Sequence, residues 1–169
     1  TSQLEKLKSQ KQNFAFIKKK QDQLDNLFSF IWKGENQKAL EVINSGMPLN
    51  QSYKEGFNPL TLAAGFGRLE ILNALIAKEM DLNYQTSNGI TAMYQAVRNK
   101  HQDILDELIN AKANPNIASN SGWTPLMLAV YYNQEVMVKA LLKAGADPDM
   151  ANKNGWTALH VTMSNGEDI

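Results

Sequence analysis

The feature that most constrains this chain is a period. Gly56, Gly89, Gly122 and Gly155 lie 33 residues apart. Pro59, Ala92, Pro125 and Ala158 keep the same step, as do Leu60, Met93, Leu126 and Leu159. Asn50, Asn83, Asn116 and Asp149 mark the other end of each unit. A period of this length means one supersecondary unit that cannot bury its apolar face alone and must stack on its neighbours. The 43% apolar share of the 169 residues supplies enough side chain for a buried core, so a disordered array is excluded.

Each unit states its own local structure. Asn58, Thr91, Thr124 and Thr157 stand just before a helical pattern, where a side-chain oxygen can accept from an orphan amide of the first turn. Pro59 and Pro125 then take the first helical position, where a missing N–H costs nothing. Gly67 can end the first helix in a left-handed conformation. Leu69, Leu72, Leu75 and Ile76 share one face of a second helix. Their counterparts are Ile104, Leu105, Leu108 and Ile109, then Met137, Val138, Leu141 and Leu142. Ala63, Ala96 and Ala129 recur on the first helix and let neighbouring helices approach closely.

The units 56–83, 89–116 and 122–149 resemble the ankyrin repeat, whose pattern runs G-x-T-P-L-H-x-A-A…G-H…L-L…G-A-D-V-N. The resemblance implies an all-α fold, a solenoid of stacked helix–turn–helix pairs with short β-hairpin loops. A helical N-terminal extension precedes it. Residues 1–23 read as a basic helical segment that packs through Leu4, Leu7, Phe14 and Ile17 on a degenerate capping repeat, residues 24–51. Full repeats span 52–84, 85–117 and 118–150, and 151–169 is a partial C-terminal repeat. Glu79 and Lys112 stand where Gly46 and Gly145 close the other second helices. A left-handed residue other than glycine costs about 1 kcal/mol, so these two junctions are expected to be the softer ones. In the last unit Thr162 and Met163 replace the alanine pair, and the sequence stops where a second helix should start. The unit is therefore read as a worn cap or as the edge of a longer protein.

The residues that carry most chemistry are missing. With no cysteine there is no disulfide, thiol nucleophile or cysteine zinc site. His101 and His160 occupy structural places of the repeat, and no phosphate-cradling glycine loop or paired-histidine metal motif is present. Asp103, Asp106 and Glu107 fall on a solvated helix face. The expectation is no enzyme, no catalytic residue, no cofactor and no metal. Zero net charge speaks against a nucleic-acid binder. Lys6, Lys8, Lys11, Lys18, Lys19 and Lys20 nevertheless gather at one end against Glu5 and Asp22, as a solvated leader or as a docking segment. No apolar run is long enough to span a membrane. Heavy use of Asn, Gln and Lys suggests an AT-rich, bacterial source. A cytoplasmic location is expected, with periplasmic or secreted ones left open.

Function, on this resemblance, is protein–protein interaction through a concave surface of hairpin tips and exposed first-helix ends. Carried onto this sequence, the tips supply Phe57, Ile90, Trp123 and Trp156, and the helix ends supply Phe66, Arg98, Asn99, Tyr131 and Tyr132. Six of the fourteen aromatic residues fall in that set, and aromatics are enriched among residues that dominate binding energy. Trp123 and Trp156 are equally read as rings that pack on a neighbouring hairpin. Tyr131 and Tyr132 stand where small or polar residues are usual, and they carry the binding expectation. The expected partner is a protein of unspecified identity, held by a monomer without nucleic acid. The alternative is a regulatory or targeting segment of a larger bacterial effector or enzyme, which the absent initial Met and the abrupt end favour.

Overall fold

A computed structural model describes residues 2–164. A long helix α1 (Ser2–Lys33) leads into α2 (Asn36–Asn44). Four short helices then keep the 33-residue step: α3 (Pro59–Gly65), α5 (Ala92–Arg98), α7 (Pro125–Tyr131) and α9 (Ala158–Ser164). Between them lie α4 (Leu69–Ala77), α6 (Gln102–Asn110) and α8 (Glu135–Lys143). Three of the four expected caps take the expected bond. Asn58 Oδ1 accepts from the Thr61 amide at 2.9 Å, Thr91 Oγ1 from Tyr94 at 3.2 Å and Thr124 Oγ1 from Met127 at 3.2 Å. In the last unit the Thr157 hydroxyl instead pairs with His160 Nδ1 at 2.8 Å.

The hairpins are present as tight turns, and no strand forms among the described residues. Each turn is closed by a bond across four residues and a second from the tip glycine amide back to the first residue. The amides of Thr86, Ser119 and Asn152 donate to the carbonyls of Ile90, Trp123 and Trp156 at 3.0, 2.9 and 2.8 Å. Each tip also bonds the one before it, Ser87 N–H to Glu55 O (3.0 Å), Asn120 to Asn88 (2.9 Å) and Lys153 to Ser121 (3.2 Å). This close approach makes glycine obligatory at Gly56, Gly89 and Gly122. A Cβ at Gly56 would lie 2.7 Å from the Ser87 nitrogen, and one at Gly89 2.5 Å from Asn120 Oδ1.

The first helices form one layer and the second helices another. Ala63, Ala96 and Ala129, all fully buried, separate the first helices. That layer packs more tightly than the second-helix layer, so the stack curves toward the tips. Leu72, Leu75, Leu105, Leu108 and Leu141 fill the space between layers with no exposure, each worth roughly 1.5–3 kcal/mol on burial. A second ladder runs along the helix junctions. Arg68, His101 and Gln134, one period apart, reach back to carbonyls in the last turn of the preceding first helix. Arg68 Nε and Nη2 donate to Ile31 and Trp32 carbonyls at 3.0 and 3.1 Å. His101 Nε2 meets Gly65 O at 3.2 Å, and Gln134 Nε2 donates to Val97 O at 3.2 Å. His101 is thereby a structural clamp. Its ring fills the space that a Cβ on Gly67 (φ +65) would occupy, 2.7 Å away. Glu79 and Lys112 take positive φ, 56° and 67°, as their positions in the period require.

The N-terminal segment departs from expectation. Leu4, Leu7, Phe14 and Ile17 do not pack on the cap but are 62, 58, 72 and 64% exposed. Only the far end of α1 is anchored, through Leu24, Leu27, Phe28 and Ile31. The reason is local. Ser2–Lys33 contains neither glycine nor proline, so nothing breaks the helix and lets it fold back. A straight helix of 32 residues reaches about 48 Å, far beyond a cap built from one short partner helix. No helix of the described residues is long and apolar enough to cross a membrane.

Candidate functional site

The concave side carries two aromatic clusters. Toward the C-terminal end, Trp123 projects from the third tip and Tyr131 and Tyr132 end α7. The Trp123 and Tyr131 rings meet edge-on with centroids 5.7 Å apart, and Tyr131 meets Tyr132 at 5.2 Å and 72°. Lys100 Nζ stands 5.9 Å over the Tyr132 ring. Tyr131 is 49% exposed and Tyr132 36%, whereas Trp123 is half-buried against the core. The three rings therefore form a ridge with a seated foot and two exposed edges. Tyr94 lies beside it. Burial pushes its phenol above the ordinary range, opposed by a hydrogen bond with Ser119 and the charge of Arg98.

The other residues expected at this face are placed unequally. Arg98 and Asn99 are exposed at the end of α5. The Asn99 amide is held by the Gln95 carbonyl at 3.0 Å, which fixes its orientation. Trp156 is exposed at the last tip, with its amide on Asn152 Oδ1 at 3.0 Å. Phe57 is half-buried. Ile90 is almost fully buried, and Thr86 bonds its amide through Oγ1 at 3.1 Å, so it offers little side-chain surface.

Toward the N-terminal end, Phe66 belongs to a groove that sequence reasoning missed. Phe28 and Leu62 line it with Trp32, Tyr53 and Phe66, and Asp25 and Ser29 supply its polar groups. Phe28 and Tyr53 rings pack 4.8 Å apart. The groove encloses about 370 Å³, room for one or two side chains of a partner. The signal was available: Trp32 lies one period before Gly65, a first-helix end. Extending the concave positions into the cap, whose sequence lacks the G-x-T-P-L opening, would have found it.

Together these surfaces offer apolar area, ring faces, two exposed cations and fixed amides. That set suits recognition of another chain by packing, cation–π contact and hydrogen bonding. Among curated proteins no relative is matched. The family model for ankyrin repeats (three copies) matches residues 27–119 and again 102–169. Between them these matches span all of the tips, clamps and aromatic clusters described above, and the chain belongs to the ankyrin-repeat family.

Proposed function

We propose that this chain is a protein-interaction module that holds a protein partner against the concave face, with the Trp123–Tyr131–Tyr132 ridge as the main anchor. Ankyrin repeats are generally modules of this kind. The observation that carries the reading is the ridge itself. Two large aromatic side chains are substantially exposed yet oriented by edge-on contacts. Rings fixed before binding lose little freedom on it, and buried tyrosine and tryptophan dominate many interfaces. Arg98, Asn99 and Trp156 extend this anchor, and the Trp32–Tyr53–Phe66 groove supplies a second contact. The role is binding without turnover, carried by a monomer.

The test is capture from the source lysate by the immobilised chain, beside a Tyr131→Ala/Tyr132→Ala variant of unchanged thermal stability. One protein retained by the parent and lost by the variant supports both module and ridge. The same protein retained equally by both removes the ridge from the account. No protein retained by either contradicts the module.

A further inference from the structure

The exposed half of α1 presents a seam that its buried half has already used. Leu24, Phe28 and Ile31 face the stack with at most 3% exposure. Counting back from them in heptads along the same helix reaches Ile17, Phe14 and Leu7, all more than half exposed. Residues 2–19 are exposed throughout. The seam is the a and d register of a coiled coil, with Gln3, Gln10 and Gln21 as its polar members. Phe16 lies off the seam, and Lys20 Nζ stands 4.2 Å over its ring.

The flanks decide what covers the seam. Lys11 and Lys18 border it on one side, and Lys6 and Lys20 on the other, at the e and g positions that set partner choice. A second copy would meet like charge. Parallel pairing sets Lys6 against Lys11, and antiparallel pairing centred on Asn13 sets Lys6 against Lys20. A lipid surface suits a helix with a broad apolar face. Here Lys11 and Lys18 fall between Leu4 and Leu7 around the helix, which leaves only a narrow stripe. We infer that the projecting half of α1 is a coiled-coil docking arm for an amphipathic partner helix whose apolar seam is bordered by Glu or Asp. The arm does not depend on the concave face, and the two surfaces fail or stand separately.

The probe is a synthetic three-heptad peptide with Leu at a and d and Glu at e and g, beside a twin with Lys at e and g. Both are titrated into the full chain. The acidic peptide is expected to bind, with affinity falling as salt rises, and the basic twin to bind at least about tenfold more weakly. Leu7→Glu/Phe14→Glu should weaken the acidic peptide at least about tenfold while leaving the thermal transition unchanged, because both side chains are exposed. Reversing both flanks together, Lys6→Glu/Lys11→Glu/Lys18→Glu/Lys20→Glu, should invert the preference between the peptides. Equal binding of both peptides, or no binding of either, overturns the inference. Self-association of the parent that Leu7→Glu/Phe14→Glu abolishes would assign the seam to a second copy. Binding to phosphatidylserine vesicles with none to the peptide would assign it to a lipid surface. Either result overturns the inference.

Discussion

The two ends of the concave face put aromatic residues to opposite uses. At the N-terminal end, Trp32, Tyr53 and Phe66 wall a groove over Phe28 and Leu62. At the C-terminal end, Tyr131 and Tyr132 stand proud of the surface, with Tyr131 leaning on a half-buried Trp123. The junction behind each cluster differs in the same sense. Behind the groove, glycines at Gly34 and Gly67 make room for the Arg68 and His101 clamps. Behind the ridge, Lys100 and Asn133 hold positive φ, and the slimmer Gln134 spans the junction with one bond. Space left by a missing Cβ is filled by a neighbour at one end. At the other end the side chain is kept, and one of those retained, Lys100, lies over Tyr132. Thus a substitution that departs from the repeat pattern at the junction also decorates the aromatic ridge.

The largest expected effect tests whether ridge and groove contribute equally. With the captured partner, Tyr131→Ala/Tyr132→Ala should cost about 2 kcal/mol or more of binding free energy. Trp32→Ala/Phe66→Ala should cost about 1 kcal/mol, because those rings add area to a groove rather than an anchor. Isothermal titration of both variants measures the order, and a reversed order makes the groove the anchor.

Stability sharpens the junction comparison. Gly67→Ala should lower unfolding free energy by about 2–3 kcal/mol, from left-handed strain together with a clash on the His101 ring. Gly145→Ala meets open space and should cost only about 1 kcal/mol. Equal midpoint shifts in urea would deny that the clamp matters. Lys112→Gly should gain a few tenths of a kcal/mol, since relief of strain is partly offset by the freedom glycine adds to the unfolded chain.

The smallest effect is alkaline. Tyr94 has a phenol raised by burial, so the unfolded chain loses that proton first. Its contribution to stability is complete below the ordinary tyrosine pKa near 10 and falls as pH rises through the folded value. Tyr94→Phe should flatten that decline in thermal melts recorded on the alkaline side. An unchanged decline would place its origin elsewhere.

Much of the fold was legible because it is written as local chemistry at a fixed step. Asn58, Thr91 and Thr124 announce caps by residue type and place. Gly56 and Gly89 announce tips because only glycine tolerates the next turn so near. The course of α1 was not legible from its apolar residues. Leu4 and Leu7 suggest burial, yet the absence of a breaker before Lys33 overrides them. The ridge residues were named from the sequence, but their mutual edge-on contact depends on packing between tip and helix that no local pattern encodes. The groove was missed because Trp32 sits in a repeat that lost its opening motif, and Tyr53 stands three residues before Gly56, outside the tip positions carried onto the sequence.

The most direct test is hydroxyl-radical footprinting of the chain alone and in complex with its captured partner. Binding through the concave face predicts protection of Tyr131, Tyr132 and Trp156, with a smaller change at Trp32 and Phe66. The outward residues of the second helices, such as Val136 and Leu142, which are exposed in the free chain, should remain fully reactive. Protection confined to Val136 and Leu142, with Tyr131 and Tyr132 as reactive in the complex as in the free chain, would contradict it.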